Sequence, residues 1–354
     1  MDRRSRIAAG RYLVTGGAGF IGSSFVRHLR RTCPEARITV LDKLTYAGNP
    51  ANLAGLEGTA GYAFIRGDIA QAPLVREVLS AGYDWVLNFA AETHVDRSIG
   101  DPGQFVTTDV YGVYALLEAV REFGVARFIQ VSTDEVYGEV LGDPVDESAP
   151  LLPRNPYAAS KAGGDRLAYA YHATYGLPVV ITRCCNNYGP YQYPEKLIPL
   201  FVTNAMDDLP LPVYGSGLNR RDWIHVQDHV EALCALLAAE GIEGEVFNIG
   251  ASNEKDVLSI AADILTALDK PPALISHVVD RPGHDRRYAV DWSKLAARTG
   301  WRPRIPFPEG IAGTVGWYRE HEDWWRPLKS GEFWEFYRRN YRFLDGRAGA
   351  GESA

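Results

Sequence analysis

The sequence predicts an α/β protein, a doubly wound parallel sheet carrying a smaller, discontinuous α/β lobe. Three observations point there. Short β-branched runs alternate with amphipathic stretches through the first half, and a glycine-rich loop joins the first run to the first helix. After about Asn187 the chain becomes richer in Pro, Tyr and Trp, with longer irregular connections. The 354 residues, 46% hydrophobic and 23% charged, suit a folded globular protein and are enough for one large domain or two lobes.

In chain order, strands are expected near residues 12–14, 38–41, 63–65, 85–88, 128–131 and 179–182, with helices near 21–31, 74–79, 105–123 and 156–175. Buried strands joined through helices run parallel, and the ligand crevice of such a sheet lies beyond the carboxyl ends of its strands. The run 247–250 and a helix near 228–239 read as a return to the first lobe. Residues 1–187 with about 225–250 are therefore expected to form a cofactor-binding domain, residues 188–224 and 251–345 the second lobe, and residues 346–354 a disordered tail. No internal repeat or low-complexity tract is present.

Composition excludes several classes. Lys and Arg number 37 against 44 Asp and Glu, a formal charge of −7, the wrong sign for a general binder of phosphate backbones, so no nucleic-acid partner is expected. Cys33, Cys184, Cys185 and Cys234 fit neither a disulfide framework nor a metal-ligand spacing, which points to a reducing, cytoplasmic setting and no metal. The basic residues 1–6 lead straight into a strand without the apolar core of a secretory signal. The apolar run 233–239 is far short of the roughly 18 residues a membrane span needs, so a soluble protein without a membrane partner is expected.

The loop Tyr12-Leu-Val-Thr-Gly-Gly-Ala-Gly-Phe-Ile-Gly22 places Gly16, Gly19 and Gly22 at three-residue spacing between a strand and a helix that opens with Phe20 and Ile21. Glycines there allow a tight turn and let a pyrophosphate approach the free N–H groups of the helix N-terminus, as in Rossmann-type dinucleotide sites. Asp42 ends the second strand about 20 residues past Gly22, where a carboxylate accepts from ribose hydroxyls and repels a 2′-phosphate. NAD is the expected cofactor. Asp68 and Ile69, and the run Asn88-Phe89-Ala90-Ala91-Glu92-Thr93, follow the third and fourth strands and should line the adenine and ribose cleft. For Asp68 a plain cap or turn role competes equally.

Tyr157-Ala-Ala-Ser-Lys161 puts a phenol and an ammonium on one helix face. Alone this pair reads as surface decoration. Beside a dinucleotide loop it reads as an alcohol-oxidising pair, the lysine cation lowering the tyrosine pKa toward the range of a working base. Ser132-Thr133-Asp134-Glu135-Val136-Tyr137-Gly138 follows the fifth strand, at the edge where ligands bind. Thr133 can hydrogen-bond a reacting hydroxyl, and the consecutive carboxylates Asp134 and Glu135 offer an acid and a base. An anonymous acidic pair is otherwise a solvated turn.

These motifs resemble the extended short-chain dehydrogenase/reductase superfamily and, more closely, its dTDP-glucose 4,6-dehydratases. The resemblance runs from residue 16 to about 318. It is carried by the glycine loop, Asp42-Lys-Leu-Thr-Tyr-Ala-Gly48, Ala90-Ala-Glu-Thr-His-Val-Asp-Arg-Ser98, the Asp134–Glu135 turn, Asn186-Asn-Tyr-Gly-Pro-Tyr-Gln-Tyr-Pro-Glu-Lys196, Arg221-Asp-Trp223 and Asp280-Arg-Pro-Gly-His-Asp-Arg-Arg287. Related epimerases lack the Asp-Glu pair, so the pair discriminates. The resemblance implies that Tyr157, supported by Lys161 and Thr133, takes the proton from the sugar O4 while C4 gives hydride to NAD+. Glu135 then removes the C5 proton, Asp134 protonates the leaving C6 hydroxyl, and hydride returns to C6; whether Tyr157 or Glu135 restores the C5 proton stays open.

The resemblance further assigns Lys43, Leu44, Thr45, Gly48, Thr108 and Asn187 to the cofactor. It assigns Thr93, Asn186, Glu195, Lys196, Leu197, Arg221, Asn253, Arg281 and His284 to the substrate, dTDP-glucose, with Pro212 and Tyr214 on the part that meets the base. Arg221 is the foremost phosphate candidate because guanidinium gives bidentate, permanently charged contacts. Lys196 and Arg281 also read as solvent-facing cations, and His284 as a structural hydrogen-bonding residue. The resemblance implies a homodimer through paired helices, for which Val110, Val113, Tyr114 and Leu117 could supply an apolar face, although the sheet's own core competes for that stripe. The aromatic segment from Trp317 to Phe343 is not placed by any motif and reads as packing against the small lobe or a partner. The competing activities are a nucleotide-sugar 4-epimerase or a 4,6-dehydratase of another nucleotide sugar, and, from another class, a non-catalytic dinucleotide sensor, which would have no need of five reacting groups.

Overall fold

The computed structural model describes residues 3–341. Its centre is a seven-stranded sheet built from β1 (Arg11–Thr15), β2 (Arg37–Asp42), β3 (Tyr62–Arg66), β4 (Trp85–Asn88), β5 (Arg127–Thr133), β6 (Val179–Cys184) and β10 (Val246–Ile249), ordered β10-β6-β5-β4-β1-β2-β3. Every pairing in it is parallel. The strand order reverses between β1 and β4, which opens a crevice above their carboxyl ends. All residues of β4, β5 and β6 are buried, as strands covered by helices on both faces must be.

Side chains alternate between two cores. Tyr12, Val14, Val40, Leu87 and Ile129 pack with Phe25 and Leu29 of the helix Phe20–Thr32 and with Leu233 and Leu236 of the helix Val226–Ala238. Leu13, Leu41, Val86 and Phe128 face the opposite way, onto Val75 and Leu79, Leu116 and Val120, and Ala168 and Tyr171. A third core lies apart from the sheet. There β7 (Asn186–Tyr188), β9 (Arg220–His225) and β11 (Glu254–Asp256) form one small sheet, and β8 (Leu211–Tyr214) and β12 (Ile275–Val278) another. Phe201, Ile264, Val315, Tyr318, Trp325 and Phe333 pack with them. Among the described residues no helix is long and apolar enough to cross a membrane.

Two expectations need correction. The helix read over 105–123 is three pieces, Pro102–Val106, a π-helical stretch Thr107–Gly112, and Val113–Phe123. The cause is close packing: a Cβ on Gly164 would come within 2.3 Å of the Asp109 carbonyl, so the widened turn nests against the neighbouring helix and aims Asp109 inward. The stripe offered for an apolar helix face also divides, because Val113 and Leu117 are fully buried in the sheet core, Val110 is half-buried and only Tyr114 is exposed. The tail expected at 346–354 lies outside the described residues.

Candidate active site

The crevice continues into one cavity of about 430 Å³ that runs from the glycine loop to β8. At its first end Gly16 has φ +67°, and a Cβ there would stand 2.5 Å from the Ala90 nitrogen, so only glycine lets the loop press against the end of β4. Gly19 starts the helix Phe20–Thr32 with no side-chain cap, leaving first-turn N–H groups for an anion. Asp42 accepts from the backbone N–H groups of Ala18 (2.9 Å) and Leu44 (2.8 Å), which holds its carboxylate at the end of β2. Asp68 both accepts from the Ala70 N–H at 2.9 Å and pairs with Lys43 at 2.8 Å, so its turn role and its place on the cavity wall coexist. This cradle fits a dinucleotide whose second ribose carries free hydroxyls.

In the middle stand the groups that can move protons. Asn155 caps the helix Pro156–Tyr175, accepting from the Ala158 N–H at 2.8 Å, and Pro156 follows at the position proline favours. That helix carries Tyr157 and Lys161 into the cavity. Lys161 is buried and donates to the Val131 carbonyl at 2.8 Å; burial holds its pKa down, with Asp109 and Asp165 opposing. Asp109 is itself pushed up to about 6 by burial, although Lys161, Ser160 (2.7 Å) and the Glu92 N–H (3.0 Å) favour its charged form. Beyond β5 a short 3₁₀ turn, Asp134–Tyr137, begins with Thr133 accepting from the Glu135 N–H at 3.3 Å.

Asp134 and Glu135 have different surroundings. Asp134 is 2% exposed, accepts from the Thr133 hydroxyl at 3.2 Å, and leaves Oδ2 without a hydrogen-bond partner among the described residues. Burial first and the neighbouring Glu135 second raise its pKa well above the carboxylate range, which favours its neutral, protonated form. Glu135 faces Asn155 Nδ2 at 3.5 Å and the Tyr288 hydroxyl at 3.3 Å.

The far end is cationic and aromatic. Arg221 is buried over the Tyr288 ring at 4.2 Å and donates to the carbonyls of Arg220 and Asp285; it has no ion-pair partner among the described residues, and burial lowers its pKa. A buried guanidinium held only by carbonyls suits an anionic ligand. Arg281 pairs with Asp96 at 3.2 Å, which also accepts from the Tyr214 hydroxyl at 2.9 Å. Glu195 is buried against Arg97 at 3.0 Å, and Lys196 donates to Thr93 Oγ1 at 2.9 Å. His284 holds Asp280 at 2.7 Å, and burial takes its pKa to about 4.

Comparison with known proteins agrees with this arrangement. Residues 13–314 match the family model described as GDP-mannose 4,6 dehydratase. A dTDP-glucose 4,6-dehydratase of Streptomyces niveus is 53% identical over 324 residues, covering 90% of this chain and 96% of that protein. The solved dTDP-glucose 4,6-dehydratase DesIV of Streptomyces venezuelae, with NAD and dTDP bound, superposes with a TM-score of 0.88 at 50% identity over 90% of this chain and 100% of that one. A Bacillus anthracis dTDP-glucose 4,6-dehydratase in complex with NAD gives 0.84 at 45% identity, covering 90% and 99%.

The chain belongs to the dTDP-glucose 4,6-dehydratase family. Of the residues that the family resemblance singled out, Gly16, Gly19, Phe20, Ile21, Gly22, Asp42, Lys43, Thr45, Gly48, Asp68, Ile69, Phe89, Ala90, Ala91, Thr93, Thr108 and Asn187 line the cavity. So do Thr133, Asp134, Glu135, Tyr157, Lys161, Asn186, Glu195, Lys196, Leu197, Pro212, Tyr214, Arg221, Arg281 and His284. Leu44 and Asn253 do not. Leu44 takes a φ of +57° to bring its N–H onto Asp42, and Asn253 is engaged by Asp222 and Trp223 in the small sheet.

A third correction concerns Tyr157. Its pKa is raised, first by burial and then by Glu135 and Asp109, against a hydrogen bond with Thr133. Sequence reasoning missed Asp96, Tyr288 and Tyr341. Asp96 stood inside a quoted motif and Tyr288 one residue past another; Tyr341, which lines the cavity and packs on Tyr214 at 5.5 Å, had no signal beyond its aromatic neighbourhood.

Proposed function

We propose that this chain converts dTDP-glucose to dTDP-4-keto-6-deoxyglucose and water. NAD supplies the hydride acceptor at C4 and the hydride donor at C6. Tyr157 takes the O4 proton, with Thr133 orienting the hydroxyl and Lys161 supplying positive potential. The resulting ketone acidifies C5, whose proton goes to Glu135, and a proton from Glu135 or Tyr157 returns to C5 as C6 takes up hydride. Asp134, held neutral by burial, gives its proton to the C6 hydroxyl as it leaves. Arg221 and Arg281 hold the diphosphate, and Pro212 and Tyr214 meet the base. The redox change over the cycle is zero, so the cofactor stays bound through turnover.

The observation that carries this reading is that Asp134 and Glu135 line the same cavity as Tyr157, Lys161 and the glycine cradle. An epimerase needs no such acid and base, and a sensor needs none of the five groups. The test is incubation of the purified protein with dTDP-glucose and with UDP-glucose, separately and without added NAD+. A 4-keto-6-deoxy sugar that absorbs after alkali, formed from dTDP-glucose, is expected; recovery of a C4 epimer or of unchanged sugar overturns the reading.

We read residues 1–187 with about 225–250 as the cofactor-binding domain and residues 188–224 with 251–345 as the nucleotide-sugar lobe, a division supported by the separate third core, except that Trp292, Leu295 and Trp301 pack into the core of the seven-stranded sheet and assign that stretch to the first domain. A homodimer is supported by exposed Val106, Tyr111, Tyr114 and Tyr175 on the helices flanking the sheet. A cytoplasmic enzyme is supported by cysteines that are all unpaired.

A further inference from the structure

A buried polar chain runs beneath the site without touching the cavity. Asp165 lies one helical turn past Lys161 and two past Tyr157, on the same face of their helix. Arg183 on β6 forks onto it, with Nε at 2.8 Å from Oδ2 and Nη2 at 3.1 Å from Oδ1. The remaining Nη1 donates to the Tyr137 hydroxyl at 2.8 Å, and that hydroxyl donates to Asn248 Oδ1 on β10, also at 2.8 Å. The guanidinium also lies 4.8 Å over the Tyr137 ring. Asp165 and Asn248 are 0% exposed, Arg183 1% and Tyr137 4%.

Tyr137 is the last residue of the 3₁₀ turn that carries Asp134 and Glu135. We infer that Tyr137 is a positioning residue, holding the dehydrating turn in register with the helix that carries Tyr157 and Lys161 through Arg183 and Asp165. The inference rests on the function proposed above. The Asp165–Arg183 ion pair is complete without the phenol, since two guanidinium nitrogens already meet both carboxylate oxygens. What the phenol adds is a link between elements: it accepts from β6, donates to β10, and belongs to the turn, so the turn cannot rotate without losing both bonds. The next residue, Gly138, returns its N–H to the Glu135 carbonyl at 3.1 Å, passing the constraint back along the turn. Asn155 and Tyr288 face the Glu135 carboxylate itself; Tyr137 fixes the backbone from which it projects.

The test is Tyr137→Phe, which keeps the ring over Arg183 and removes the hydroxyl. With wild type alongside, the expected result is a KM for dTDP-glucose within about twofold, a kcat reduced about tenfold, and a larger steady-state fraction of reduced cofactor, because dehydration slows more than oxidation at C4. Arg183→Lys keeps a charge beside Asp165 and loses the fork to Tyr137, and should raise the reduced fraction likewise. An unchanged kcat, or a lower kcat with the wild-type reduced fraction, overturns the inference. If Tyr137→Phe does not fold, the reduced fraction in Arg183→Lys decides by the same criterion. Failure of wild type to convert dTDP-glucose overturns the functional reading, which keeps the two failures distinct.

Discussion

At the scale of single residues, the separation of the two carboxylates governs the chemistry. Glu135→Gln should leave the cofactor able to become reduced when dTDP-glucose is added, while product formation stops; full turnover would remove Glu135 from the base role. Tyr157→Phe should suppress that first reduction, followed by absorbance of the bound nicotinamide. Arg221→Gln should raise KM for dTDP-glucose by about 10- to 100-fold, the size of a charge-assisted contact to phosphate, read in steady-state kinetics. Asp109 gives a pH test of stability. Its pKa is raised from 3.8 to about 6, so the folded protein keeps that proton longer than the unfolded chain. Its burial is therefore least costly below the ordinary carboxylate range, and stability is lost as pH rises through this window. Asp109→Asn should flatten that fall, measured as melting temperature against pH. The motifs made Asp134, Glu135 and Tyr157 visible in the sequence, but the raised pKa of Tyr157 was not, because it depends on how deeply the fold buries the phenol and on the carboxylates of Glu135 and Asp109 that it brings near.

At the scale of elements, the aromatic segment near the C-terminus gains a role that its composition could not specify. The helix Glu332–Asn340 lies across the base end of the cavity, with Glu332 on Arg97 at 2.9 Å and Phe336 against His94 at 5.0 Å. Arg97 in turn stacks 3.6 Å from the centre of the Tyr46 ring. Tyr341→Ala should raise KM for dTDP-glucose about tenfold while the purified enzyme keeps its bound cofactor, checked by kinetics and by cofactor released on denaturation. Strands β1, β2, β4, β5 and β6 are legible within a few residues because their burial writes an apolar run, whereas β3 is an edge strand with no fully buried residue and is legible only from its aromatic and β-branched residues. The π-helical stretch was not, because it answers to Gly164 on another helix, a contact no local pattern records.

At the scale of the molecule, the seven-stranded sheet sets the crevice and the second lobe closes it. The alternation of runs and the glycine loop predicted that sheet; the lobe's separate small sheets were not foreseen, since pairs such as β9 with β11 join residues far apart in sequence. Introducing charge at the exposed aromatic face, Tyr111→Arg with Tyr114→Glu, should shift the dimer proposed above to monomer in sedimentation, and a wild type that sediments as a monomer overturns that proposal. Asp134 and Glu135 occupy consecutive positions on a turn of four residues, whereas Tyr157 and Lys161 belong to a helix elsewhere in the chain. Ancestral change at two neighbouring codons could therefore silence loss of water while sparing electron exchange.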